Sequence, residues 1–228
     1  MIPHVSLMLY HIEDAFNGAV QTLKPVFWLH GRLALIYNNY QIAVNEALMQ
    51  KPKLLLHICC APCSPHAIDL LKKDFELTAY FYDPNIHPEE EYLFRLDEMR
   101  KFSNQIGLTF IPAEYDPDRW FELTKGHEND REGEGRCEIC FKMRLERAVI
   151  FARENGFEYF TTILTTSPHK DAKVINKIGA ELAVQYGLKF YEADFKKRDG
   201  FKISVQKGKK YGLKRQNYCG CVFSKKMC

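Results

Sequence analysis

Eight cysteines stand in this chain of 228 residues, and seven of them fall into three short groups. The first is His57-Ile58-Cys59-Cys60-Ala61-Pro62-Cys63, the second Cys137-Glu138-Ile139-Cys140 and the third Cys219-Gly220-Cys221. Thiols at these spacings bind metals or carry redox chemistry, and in a reducing compartment stable disulfides are rare. Cys137, Cys140, Cys219 and Cys221 alone are compatible with a four-cysteine zinc site. That reading leaves Cys59, Cys60 and Cys63 without a task. A 4Fe-4S cluster also takes four thiolates and tolerates irregular spacing, which leaves about three thiols for a second metal or for catalysis. The surplus favours iron, because a structural zinc needs none. Cys60 and Cys63 are also spaced like a thioredoxin-type pair, but that leaves five other cysteines unexplained. A Cys59–Cys60 vicinal disulfide would be strained.

Two further strings are rich in groups that move protons or contact substrate. They are Tyr82-Asp83-Pro84-Asn85-Ile86-His87-Pro88 and Thr165-Thr166-Ser167-Pro168-His169-Lys170-Asp171. Asp83, His87, His169 and Asp171 are the candidate proton donors, with Tyr82 behind them. The plain alternative is that Asp83, Ser167 and Asp171 cap helices. Histidine and lysine are not preferred caps, so that alternative does not cover the whole set.

The elements that must position these residues alternate in period from Lys53 onward. The pattern predicts strands over Leu54–Ile58, Leu77–Tyr82, Leu108–Pro112, Tyr159–Leu164 and Leu188–Tyr191. Between them it predicts a helix from Ser64-Pro65 to about Lys73, then helices over Pro88–Ile106 and Glu138–Asn155. A last one follows a second cap signal at Ser167-Pro168. Residues 124–136 read as a loop. Gly107, Gly156 and Gly187 each precede an apolar residue, as left-handed helix C-caps do. Strand and helix alternating in this way mean a Rossmann-like, doubly wound α/β fold with a mostly parallel sheet. In such folds ligands bind outside the carboxyl ends of the strands. The first cysteine group and both polar strings fall there, the polar strings on two neighbouring strand ends. The cysteine-rich metal site is therefore expected at that edge.

Residues 1–50 do not join the pattern. They are either a small helical extension or precede a natural start at Met49. Residues 51–195 form the α/β domain, and 196–228 a basic, cysteine-containing segment that completes the site.

Composition bounds the partners. With 46% hydrophobic and 27% charged residues the chain has material for a core and is not globally disordered. No run reaches the roughly 18 apolar residues of a membrane helix. The first residues lack a signal-peptide layout, so the expected location is the cytoplasm. Charge is unevenly spread. Residues 196–228 hold eleven Lys and Arg against Asp199, a charge of +10, and the remaining 195 residues carry −7. A basic block beside an acidic body points to a polyanion, usually nucleic acid, though it could also be a solvated tail. Phe201, Tyr211 and Tyr218 interleave with these charges and could stack on bases or simply pack.

The strings LLLHICCAPCSPHAI, YDPNIHP, RCEICFKMRLERA, TTILTTSPHKD and YCGC, in this order over about Lys53 to Ser224, resemble the QueH family of epoxyqueuosine reductases. The resemblance implies an iron–sulfur oxidoreductase acting on the wobble base of tRNA, in the last step of queuosine biosynthesis. It implies a 4Fe-4S cluster held by these cysteines. It also implies a nucleotide-hydrolase-like fold, related to the ATP pyrophosphatases. Those enzymes place a Gly-rich SGGxDS-type loop after the first strand. Here the loop is HICCAPCSP, without glycine, so the phosphate cradle is missing and ATP chemistry is not expected.

On that footing Cys60, Cys137, Cys140 and Cys219 are expected to hold the cluster. Cys59, Cys63 and Cys221 would face the substrate or a second, adjacent iron, so all seven are candidate metal ligands. Arg95, Arg136, Lys170, Lys209, Lys210, Lys214 and Arg215 are expected to hold tRNA phosphates. The electron donor is not identified by the sequence. The competing readings are a zinc-stabilised nucleic-acid-binding module and a tRNA thiolation-type enzyme. The first leaves the strand-end cysteines unexplained, and the second lacks its phosphate loop.

Overall fold

The computed structural model describes residues 51–224. The expected extension over residues 1–50 lies outside that range, as do Lys225, Lys226 and Cys228. Five strands form one sheet: β1 (Lys53–His57), β2 (Glu76–Phe81), β3 (Thr109–Pro112), β4 (Tyr159–Thr162) and β5 (Lys189–Phe190). Their order is β3-β2-β1-β4-β5 and every pairing is parallel. Six α-helices connect or flank them: α1 (Pro65–Leu71), α2 (Glu89–Gln105), α3 (Pro117–Leu123), α4 (Gly135–Glu154), α5 (Ala172–Tyr186) and α6 (Gly200–Lys210). The fold is the expected doubly wound α/β sheet.

β1 shows why. Its Leu54, Leu55 and Leu56 are fully buried, and successive side chains point to opposite faces. Leu54 and Leu56 join Ala67 and Ile68 of α1 and Met99 and Phe102 of α2 in one core. Leu55 joins Leu145, Ala148 and Val149 of α4 and Ile175 and Leu182 of α5 in the other. A strand covered on both faces reads as a continuous apolar run, which is what residues 54–56 are. From β1 the chain proceeds to β2 and β3, then returns to β4 on the other side of β1. The order reverses at the β1–β4 pair, so the binding crevice opens at their carboxyl ends.

Four details differ from the sequence reading. The helix expected from Glu138 starts at Gly135, so part of the expected loop over 124–136 is helical. Its N-cap, Glu134, makes no side-chain cap. Asp130 supplies one instead, its Oδ2 accepting the Arg136 N–H at 2.7 Å. A cap reaching in from an earlier loop residue leaves no signal at the capping position. The cap expected at Ser167-Pro168 is displaced to Asp171, which accepts the Lys173 N–H at 2.7 Å. Residues 163–166 continue from β4 as a 3-10 turn and postpone the helix. The helices α3 and α6 carry no sequence expectation. Finally, β2 and β4 are not neighbours, because β1 lies between them.

The three C-cap glycines do take left-handed backbone, with φ of 59° at Gly107 and 70° at Gly156 and Gly187. Among the described residues no helix is long and apolar enough to cross a membrane.

Candidate metal centre

The first cysteine group leaves β1 on a 3-10 turn, Ala61–Cys63, before α1. This turn is held by α6. Gly208 lies against Pro62, and Ser204 Oγ donates to the Cys63 carbonyl at 3.4 Å. Gly200, Ser204 and Gly208 are spaced four apart, so they share one helix face and let α6 approach closely. On the opposite face Lys202, Lys209 and Lys210 remain exposed.

Cys137 and Cys140 occupy the first two turns of α4. Cys219 and Cys221 follow α6 on a segment clamped to the β2–α2 loop. The His87 N–H donates to the Gly220 carbonyl at 2.8 Å, and Arg95 Nη1 donates to the Cys219 carbonyl at 3.1 Å. Gly220 has φ of 102°, and a Cβ there would stand 2.8 Å from Ile86 Cγ1. No other residue fits between these two cysteines without a shift. Trp120 of α3, fully buried, stacks on Phe223 and closes the segment from below.

A cavity of about 40 Å³ lies between these elements, and Cys137, Cys140, Cys219 and Cys221 all line it. Asn85, Arg144, His169, Lys170 and Asp171 line it as well. Cys59, Cys60 and Cys63 are not in the lining, but the two sets are electrostatically joined. Burial alone would lower the Lys170 ammonium, yet Cys219, Cys59 and Cys63 outweigh it and hold its proton more tightly.

In each set one thiol is shifted toward the thiolate at the expense of its neighbours. Cys63 is lowered chiefly by a hydrogen bond from Cys60. Cys59 and Cys60 are raised, Cys59 first by its bond to Cys60 and then by burial. Cys219 is pulled well down by a hydrogen bond from Cys221, with Lys170 assisting against burial, and Cys221 rises in return. Burial pushes Cys137 and Cys140 up. Metal ligation would therefore displace protons from these two.

Among the described residues no three His, Cys, Asp or Glu converge on a point where a single metal ion would be held. The four lining thiols instead surround a cavity. All of them are free, and their soft sulfur donors match iron–sulfur chemistry. The residues present therefore fit a cluster.

Of the candidate proton donors, His169 and Asp171 are exposed at the cavity, and Asp171 also caps α5. Asp83 lies beneath it, fully buried and ion-paired to Arg144. Burial pushes its carboxyl up to about 6 against the pull of Arg144. His57 Nε2 lies 3.2 Å from the Tyr82 carbonyl and 3.8 Å from Asp83 Oδ1. Burial keeps this imidazole neutral. His87 is buried against Trp120 and Phe121 rather than in the lining.

The expected phosphate ligands separate into three groups. Lys209, Lys210, Lys214 and Arg215 are exposed. Arg95 and Arg136 are each 2% exposed and spend donors inside the protein, Arg95 on Glu91 and Cys219, Arg136 on the carbonyls of His127 and Glu128. Lys170 lies in the cavity. The interleaved aromatics have partners within the chain: Phe201 under Arg215, Tyr211 edge-on to Phe102 and Tyr218 under Arg95. Arg144, Asn85 and Trp120 were absent from the sequence-based set. Arg144 follows Cys140 by one helical turn, a spacing that could have signalled it.

A doubly wound sheet with thiols from three chain segments at its carboxyl edge defines a cysteine-centred α/β protein. Its family follows from comparison. The profile of the family described as Epoxyqueuosine reductase QueH matches residues 54–227. Relatives of that name share 39% identity over 82% of this chain and 84% of the Staphylococcus epidermidis protein. In Acinetobacter baylyi the identity is 41%, over 75% and 80%. In Thermotoga maritima it is 38%, over 75% and 89%. The chain belongs to the QueH family of epoxyqueuosine reductases. Among solved structures, the U34-tRNA thiolase NcsA from Methanococcus maripaludis with its 4Fe-4S cluster superposes with a TM-score of 0.52 at 15% identity, over 78% of this chain and 63% of that one. That likeness is one of fold.

Proposed function

We propose that this chain reduces epoxyqueuosine in tRNA to queuosine, using a 4Fe-4S cluster held at the carboxyl edge of the sheet. The observation that carries this reading is the meeting of Cys137, Cys140, Cys219 and Cys221 around one cavity, in a chain of the QueH family. The reaction takes two electrons and two protons, breaks both carbon–oxygen bonds of the epoxide, and yields an alkene and water. When bound, the cluster supplies electrons one at a time, and a second iron would polarise the epoxide oxygen.

Cys137, Cys140 and Cys219 would be cluster ligands, a reading that the sequence expectation and the cavity lining both support. For the fourth, the lining favours Cys221 over the Cys60 expected from sequence, because Cys221 borders the cavity and Cys60 does not. Cys59, Cys60 and Cys63 are then the thiols left beside the cluster site; as placed they do not converge on one point, so a second iron held by all three would need them to move.

The chain's own groups supply the rest. Lys170 places a positive charge where oxygen becomes negative and can deliver a proton to it. His169 and Asp171, at the open side, connect that point with solvent protons. Arg144 and Asp83 form a buried pair under Cys140, and Arg95 fixes the Cys219–Cys221 segment. The exposed Lys209, Lys210, Lys214 and Arg215 would meet tRNA phosphates while the wobble base is splayed into the cavity. The site of action is the cytoplasm, where tRNA is modified. The test is anaerobic purification with iron, sulfide and zinc analysis, then an assay on epoxyqueuosine tRNA. About four irons and four sulfides per chain, with conversion to queuosine, are expected. One zinc with no sulfide and no conversion would overturn the reading.

A further inference from the structure

Most polar groups that face the cavity are charged or already engaged. Arg144 is paired with Asp83, and Asp171 accepts from the Lys173 backbone. Asn85 differs. It is 2% exposed, it lines the cavity, and its Oδ1 has no hydrogen-bond partner. A buried amide oxygen without a partner costs roughly 1–3 kcal/mol, so folded proteins seldom leave one without a reason.

The backbone around Asn85 is fixed on both sides. The Ile86 N–H donates to the Asp83 carbonyl at 3.2 Å, and Tyr115 Oη donates to the Ile86 carbonyl at 2.8 Å. The His87 N–H holds the Gly220 carbonyl, which ties the loop to the two cysteines of the third group. Every neighbouring backbone contact serves the fold, and the Asn85 side-chain oxygen is left as an unpartnered acceptor in the lining, whereas the other unpartnered buried atoms of lining residues, Trp120 Nε1, Arg136 Nε and Arg144 Nε, are donors. A fixed, dry, neutral acceptor is preorganised for a neutral donor.

The geometry points to Asn85 as a specificity-determining residue whose Oδ1 accepts a hydrogen bond from a ring hydroxyl of the substrate's cyclopentane group. The inference rests on the reductase reading above. That ring carries hydroxyls beside the epoxide, and they distinguish this base from its precursors without the ring. A site that leaves a buried polar group unpaired rejects the analogue lacking the hydroxyl. Asn85 is not a soft sulfur donor for a cluster, so its loss need not disturb metal loading.

The test compares two anticodon stem-loop RNAs, one bearing queuosine and one bearing the aminomethyl deazaguanine that lacks the ring. Binding of each to the iron-loaded wild type, Asn85→Ala and Asn85→Asp is measured. The wild type prefers the ring-bearing RNA. Asn85→Ala loses that preference by about tenfold, the worth of one hydrogen bond to a buried acceptor, while affinity for the ring-free RNA and iron content stay as they were. Asn85→Asp, which keeps an acceptor oxygen, keeps the preference. Equal weakening toward both RNAs in Asn85→Ala would mean a structural role and overturn the inference. So would an unchanged preference, or a wild type that shows none. Conversion of epoxyqueuosine RNA by the wild type is read separately, so failure of the reductase reading is distinguished from failure of this one.

Discussion

Cys59, Cys60 and Cys63 stand on one turn of chain between β1 and α1, whereas Cys137 and Cys140 meet Cys219 and Cys221 from distant parts of the sequence. The first set is arranged by local spacing and is steadied by the small-residue face of α6. The second exists only because α4, the β2–α2 loop and the segment after α6 converge at one strand edge. The local set hydrogen-bonds to itself and stays outside the cavity lining, and the assembled set surrounds the cavity. Lys170 faces both. The contrast suggests a division of labour in which the assembled set holds a cluster and the local set serves the chemistry beside it.

The strongest way to break that contrast is to remove one thiol from each set. Cys137→Ser is expected to lose most iron and sulfide and to lower activity at least 100-fold, by metal analysis and assay. Cys59→Ser should retain the cluster's visible spectrum while activity falls. Equal loss of sulfide from both variants would erase the distinction.

The next effect concerns the ion pair under the assembled set. Arg144→Met leaves Asp83 buried without its partner and should cost about 3–5 kcal/mol in denaturant unfolding. Adding Asp83→Asn should recover much of that loss. The Asp83 carboxyl also sets a pH dependence. The folded chain keeps its proton up to about pH 6, while the unfolded chain releases it near 4. The native state binds more protons between these values, so this contribution to stability is lost as pH rises from about 4 to 6. Asp83→Asn should flatten that part of the stability profile.

Gly220→Ala tests the joint between the β2–α2 loop and the third cysteine group. A Cβ 2.8 Å from Ile86, at a φ of 102°, should cost about 1–3 kcal/mol and lower iron content. The corresponding change at Gly208, where a Cβ would meet nothing nearer than 3.5 Å, should be milder. The smallest effect belongs to the outer face of α6. Lys209→Ala with Lys210→Ala should weaken tRNA binding a few-fold and reduce its salt slope by about two, with iron content unchanged.

Much of the scaffold was legible in the residues. The apolar run 54–56, the alternation of periods and the glycine C-caps each record a backbone requirement within a few residues, so strands and helices could be placed. What failed were features set by partners distant in sequence. Asp130 caps α4 from a loop, α6 hides its helical role among lysines, and Trp120 belongs to a helix too short to show a period. Arg95 and Arg136 read as phosphate ligands because charge in a sequence suggests solvent. Both are buried, and they spend donors inside the protein.

The sequence by itself determined the inventory of this protein: seven thiols in three groups, the doubly wound order of elements and the family they mark. These depend on residue type and on short-range periodicity. The tertiary structure decided which thiols share a cavity and that Arg144, Asn85 and Lys170 line it with them. Those facts depend on the crossing of the chain at the β1–β4 switch point, where side chains far apart in sequence are packed together and shielded from water.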